Sequence, residues 1–165
     1  MNTMRIIGLY GASNTGKTTT LNLVANDLEK SGVNILSHER VYESSDYRYY
    51  IQCPNGLKLC ITTAGDNKTI QQENVDFVEP KKNKVDIWST ASRTSGESTL
   101  PMATFANDQK TTILWVRKLS PIIIDQSKGY KYENDRPSIF GNSICDRLNR
   151  IDSDRILNMI FQETT

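Results

Sequence analysis

Eight residues near the amino end, Gly11-Ala12-Ser13-Asn14-Thr15-Gly16-Lys17-Thr18, match the pattern G-x-x-x-x-G-K-[ST] at every fixed position. The chemistry open to such a segment is anion capture. Successive backbone N–H groups can curl into a concave nest, and a following helix points its positive end at the same anion. Gly11 and Gly16 permit backbone angles and close approaches that a Cβ would block. Lys17 can reach the β- and γ-phosphates of a nucleoside triphosphate, and the Thr18 hydroxyl can ligate Mg²⁺. Four fixed positions recur by chance about once in a few hundred chains of this length, so the context must carry part of the argument.

The elements around the motif are the ones it needs. Arg5-Ile6-Ile7-Gly8-Leu9-Tyr10 is a short apolar run suited to a central parallel strand. Leu21, Val24, Ala25 and Leu28 recur at helical spacing, and Gly32 stands where a helix C-terminus favours glycine. Val33 to Ser37 begins a second extended segment. Tyr47 to Cys53 and Leu57 to Thr63 flank Pro54-Asn55-Gly56, which predicts a β-hairpin. A helix is predicted over 68–79, a strand over 85–91, a helix over 97–107 and a strand over 111–116. Pro121 to Ile124 reads as one more strand and 126–137 as a polar excursion. From about Asn142 to Gln162 the period is helical, with Asp152-Ser153-Asp154 as a break point.

With this context the chain resembles the P-loop NTPase superfamily, over the motif and about thirty residues around it. The resemblance implies a three-layer α/β fold in one domain, 1–165. It has a mostly parallel sheet, one antiparallel strand from the hairpin, and helices on both faces. It also implies a nucleotide held by Gly11, Ala12, Ser13, Asn14, Thr15, Gly16, Lys17, Thr18 and Thr19. Right-handed crossovers then bring every β-to-α loop to one sheet edge. The Gly11–Thr18 loop, Gly65-Asp66, Arg93 to Gly96 and Arg117-Lys118 all fall there.

The hairpin and Thr62-Thr63-Ala64-Gly65-Asp66 further resemble the D-T-A-G-Q segment of small GTPases. By that resemblance the Gly65 N–H contacts the γ-phosphate and Asp66 stands at the water-orienting position. Two departures stand out. Neutral Thr62 occupies the place of the Mg²⁺-linked aspartate. Arg117-Lys118-Leu119-Ser120 replaces the guanine-reading N-K-x-D, which leaves ATP as the default nucleotide and GTP as the alternative. A substitute carboxylate for Mg²⁺ could be Asp66, Glu39, Glu43 or Asp46, with Asp66 preferred because its loop lies near the phosphates. Asp66 could equally be the N-cap of the next helix. Arg93 follows a central strand and reads either as a phosphate-facing guanidinium or as a partner for a carboxylate. The expected catalytic set is therefore Lys17, Asp66 and Arg93, with Thr18 and Asp66 at the metal.

Composition narrows the function classes. The chain has 165 residues, 20 basic and 19 acidic side chains, and a net charge of +1. That balance gives no global attraction to nucleic acid or an anionic membrane. Cys53, Cys60 and Cys145 form no C-x-x-C pair, and with no leader-like segment they read as reduced thiols of a cytoplasmic protein. The lone His38 has no metal-spaced partner. Lys81, Lys82 and Lys84 read as a solvated loop, and Tyr42, Tyr47, Tyr49 and Tyr50 as hairpin aromatics or a partner surface. Three functions compete: Mg²⁺-dependent nucleoside triphosphate hydrolysis, phosphotransfer to an acceptor with Arg147, Arg150 and Arg155 closing over phosphate, and nucleotide sensing without turnover. A protein partner or a homodimer stays open.

Overall fold

The computed structural model describes residues 4–93, 97–119, 122–125, 129–132 and 136–162, with side chains up to 119 and from 144 onward. Strand β1 (Arg5–Tyr10) leads into helix α1 (Lys17–Lys30). Then come β2 (Asn34–Arg40), β3 (Tyr47–Gln52), β4 (Lys58–Thr62), α2 (Lys68–Val78), β5 (Ile87–Ser92), α3 (Leu100–Asp108) and β6 (Ile113–Arg117). A separate pair, β7 (Ile122–Asp125) and β8 (Gly129–Tyr132), precedes α4 (Arg136–Phe161).

The main sheet has the order β2-β3-β4-β5-β1-β6. Strands β4, β5, β1 and β6 pair in parallel, and β3 is antiparallel to both β2 and β4. One strand therefore runs against five, as the hairpin predicts. Gly56 closes that hairpin at φ 88, where its N–H donates to Cys53 O.

Alternation of side chains across β1 sorts the core into two layers. Ile7 and Leu9 face α1 and α4, packing with Leu21, Val24, Leu28, Ile156 and Ile160. Ile6 faces the other way, with Val75, Val78, Trp88, Met102 and Phe105 of the α2 and α3 side. Full burial of each such side chain contributes about 1.5–3 kcal/mol. Trp88 meets the Phe105 ring edge to face at 5.6 Å, a geometry that adds about 0.5–1.5 kcal/mol beyond area.

The structure departs from the sequence reading in the last third. Residues 129–132 are strand, and α4 starts at Arg136 within the stretch read as a polar excursion. Helix α4 also runs unbroken through Asp152-Ser153-Asp154. Asp152 is buried and its carboxylate is spent on ion pairs, so it does not compete for backbone as a helix-breaking aspartate would. Pro101 sits in the first turn of α3, where its missing N–H has no cost. Among the described residues no helix is long and apolar enough to cross a membrane.

Candidate functional site

Residues 11–16 connect the C-terminal end of β1 to α1. Asn14 (φ 55) and Gly16 (φ 90) lie in the left-handed region, which turns the chain tightly before the helix. Gly16 is the N-cap of α1 and supplies no side-chain hydrogen bond. The first-turn N–H groups of α1 thus have no side-chain acceptor and open toward a cleft of about 290 Å³. Asn14, Thr15, Gly16, Lys17, Thr18, Thr19, Ser45, Thr63, Gly65, Asp66 and Ala91 line it. Thr15 Oγ1 donates to Ala12 O at 2.9 Å and braces the bend from inside.

Lys17 is buried, and its Nζ donates to Gly11 O (3.1 Å) and Ala12 O (2.8 Å). Two carbonyls of the loop therefore hold the ammonium across the loop's own mouth. Burial pushes the Lys17 pKa down. The Asp66 carboxylate opposes that shift, while the Arg93 and Lys118 charges add to it.

The Asp66 carboxylate lies 3.8 Å from Lys17 Nζ and 3.5 Å from Arg93 Nε. It is half exposed, so these pairs are individually weak. The N-cap of α2 is Asn67, whose Oδ1 accepts from Ile70 N at 2.9 Å. Of the two readings of Asp66, the cap is thereby taken by its neighbour. Arg93 reaches Ser13 Oγ at 3.3 Å as well, so it bridges the glycine loop and the β4–α2 loop. Of the Arg93–Gly96 segment, 94–96 lie outside the described residues. Gly65 packs on β5: a Cβ there would stand 1.9 Å from Ala91 O. Only glycine lets the Asp66 loop cross the end of β5 and approach the cleft.

The carboxylate beside Thr18 is Asp46, not Asp66. Thr18 Oγ1 donates to Asp46 Oδ1 at 2.8 Å, and Thr63 Oγ1 donates to the same oxygen at 3.2 Å. Thr63 O lies 3.4 Å from Thr18 Oγ1. The β2–β3 loop delivers Asp46: its N–H donates to Ser44 Oγ, its carbonyl accepts from Val41 N, and Ser45 O accepts from Asn22 Nδ2 of α1. Hydroxyl, carboxylate and carbonyl oxygens converge at Thr18, which is a hard donor set. Among the described residues no group of three or more His, Cys, Asp or Glu gathers as a self-sufficient metal cage. One carboxylate and one hydroxyl, completed by phosphate oxygens and water, is the arrangement Mg²⁺ accepts. Glu39 and Glu43 are not in this cluster. Glu39 instead pairs with Arg48 at 3.0 Å.

Thr62 has a different occupation. Its hydroxyl accepts from Trp88 Nε1 (3.0 Å) and donates to Thr90 Oγ1 (2.7 Å) in the fully buried layer beneath α2. It faces the core and not the Thr18 cluster. Arg150 pairs with Asp27 of α1 (2.7 Å) and with Asp154, and Arg155 pairs with Asp152. Those two arginines bind within the protein instead of standing over the cleft. Tyr49 is buried and His38 stacks on it at 4.7 Å, in keeping with cross-strand pairing in the hairpin sheet. Lys81 Nζ caps Phe77 O and lies 3.8 Å from that ring's centroid, so it is a folded-back side chain of the α2 end.

Sequence reasoning named Lys17, Thr18, Gly65, Asp66 and Arg93; the first four line one cleft, and Arg93 adjoins it through Asp66 and Ser13. It overlooked Thr63 and gave Asp46 second rank, because no local spacing links either to Thr18. No family model, no curated protein and no solved structure matches this chain.

Proposed function

We propose that the chain binds a Mg²⁺-complexed nucleoside triphosphate at the Gly11–Thr18 loop and hydrolyses it, within a P-loop-type three-layer domain. The observation that carries this reading is Lys17, buried and held by Gly11 O and Ala12 O over a cleft into which the uncapped amino end of α1 opens. Amide dipoles and a desolvated ammonium together favour a polyanion. ATP is the default nucleotide, with GTP the alternative, because no guanine-reading motif follows β6.

In this reading the loop amides and Lys17 grip the β- and γ-phosphates. Thr18, with Asp46 behind it, would hold Mg²⁺, which when bound supplies charge neutralisation across the phosphates. Arg93 bridges Ser13 and Asp66 and is placed to offset charge on the transferred group. Asp66 then orients water, and the Gly65 N–H faces the terminal phosphate. Such catalysis is mostly positioning and electrostatics.

Calorimetry with Mg·ATP and Mg·GTP tests the binding half. The wild type should bind at least one, and Lys17→Ala should abolish it. If neither binds, the proposal fails. Asp66→Ala should slow phosphate release without weakening binding. A second reading, nucleotide sensing without turnover, draws on Thr62, whose burial against Trp88 leaves no carboxylate at the end of β4. Tight binding with no phosphate release under Mg²⁺ or Mn²⁺ would select it. For phosphotransfer, Arg150 and Arg155 are engaged elsewhere and no acceptor site stands out among the described residues.

A further inference from the structure

Lys118 follows β6, and its ammonium is buried together with Asp152 of α4. Nζ stands 2.9 Å from Oδ2 with both side chains fully removed from solvent. A buried ion pair gains little over apolar residues of the same volume, so packing does not account for this one. The carboxylate holds more than the lysine. Oδ2 also accepts from Leu119 N at 2.8 Å, and Oδ1 accepts from Arg155 Nη1, which itself reaches Arg117 O. Lys118 N donates to Tyr10 O at the end of β1. One carboxylate thus fixes 117–119 beside the point where β1 becomes the glycine loop.

The Lys118 stem lies directly on that point. A Cβ on Gly11 would stand 3.0 Å from Lys118 Cβ and 2.9 Å from Thr15 Oγ1. The first residue of the loop is therefore wedged between the lysine stem and the brace that closes the bend. Helix α4 is in turn fastened to α1 by Arg150 and Asp27 at 2.7 Å.

We propose that Asp152 is a positioning residue for the glycine loop: it draws the Lys118 ammonium inward, seats the lysine stem against Gly11, and so sets the curl in which the loop amides converge. The inference rests on reading that loop as the nucleotide site, but its first readout does not need a nucleotide. The experiment compares wild type, Asp152→Asn, and the double variant Lys118→Met with Asp152→Leu. It measures amide hydrogen exchange over 11–16 in the absence of nucleotide, the melting temperature, and affinity for Mg·ATP.

Exchange over 11–16 should speed up at least tenfold in the variants, while β1 and the middle of α1 keep wild-type protection. Affinity for Mg·ATP should fall at least tenfold. Asp152→Asn leaves a buried charge unpaired and can unfold the chain. The double variant removes both charges, and with them the inward pull on residue 118 and the acceptor for Leu119 N and Arg155 Nη1, and decides the matter if the single variant fails to fold. A folded double variant with wild-type exchange over 11–16 and wild-type affinity overturns the inference. If the wild type binds no nucleotide yet exchange over 11–16 rises as stated, the positioning role stands and the nucleotide reading falls.

Discussion

Replacing Asp46 by Asn separates the two carboxylates that compete for the metal. Asp46 Oδ1 accepts from Thr18 and Thr63 at 2.8 and 3.2 Å, whereas Asp66 Oδ1 faces Lys17 and Arg93 at 3.8 and 3.5 Å. A unit charge about 4 Å from another contributes about 4 kcal/mol at an effective dielectric of about 20, and a dication doubles it. Carboxylate desolvation and the two hydroxyl bonds that must rearrange offset roughly half of that. A net loss of about 3–4 kcal/mol remains, or roughly 10²–10³-fold in Mg²⁺ affinity at about 1.4 kcal/mol per decade. The amide keeps the size and can still accept from Thr18, so the fold should be retained. Asp66→Asn behaves differently. Its carboxylate is 49% exposed, and exposed pairs contribute about 0–1 kcal/mol. Freed of that competing anion, Lys17 should bind nucleotide up to about fivefold more tightly, with the Mg²⁺ requirement unchanged. Titrating ATP into each variant by calorimetry across a series of Mg²⁺ concentrations gives both quantities. The assignment of Asp46 is refuted if Asp66→Asn loses the Mg²⁺ dependence and Asp46→Asn keeps it.

Gly65→Ala would force a methyl to within 1.9 Å of Ala91 O, a backbone atom of a central strand. It should cost at least about 1–3 kcal/mol, visible as a drop in chemical denaturation midpoint; a wild-type midpoint would mean the β4–α2 loop yields freely. Burial holds the Lys17 pKa below its ordinary 10.5. The unfolded chain therefore keeps this proton to higher pH than the folded chain does. Between the two values, rising pH stabilises the fold through Lys17, and below both the contribution is constant. The wild type minus Lys17→Met difference in unfolding free energy should rise with pH toward 10.5, and a falling difference would contradict the burial argument. Burial pushes the Cys60 thiol up to about 12 and raises Cys53 as well. At pH 8 both should label with a thiol reagent only as fast as the core opens, and rapid stoichiometric labelling of the native protein would show otherwise.

Much of the architecture is legible in residue order because its causes are local. The 3.6-residue period of Leu21, Val24, Ala25 and Leu28 marks the buried stripe of α1, and all four are buried. The Pro54-Asn55-Gly56 turn marks one of the two reversals that set β3 against the other strands of the sheet. The polar stretch before α4 was misread because composition alone hides a short strand pair and an early helix start. Asp152 was misread because a buried ion pair leaves no mark on its own segment.

Residue order alone settles the glycine-lysine bend, the strand before it and the helix after it, since each follows from torsion preferences and side-chain period within about a dozen neighbours. Tertiary structure decides which groups complete that bend. Asp46 meets Thr18 across 28 residues, and Asp152 meets Lys118 across 34. Strand β5 slots between β4 and β1, so Asp66 arrives only because Gly65 can lie flat on Ala91. Such meetings depend on how crossovers order the strands, and a charge carries no local signal of which distant partner will desolvate it.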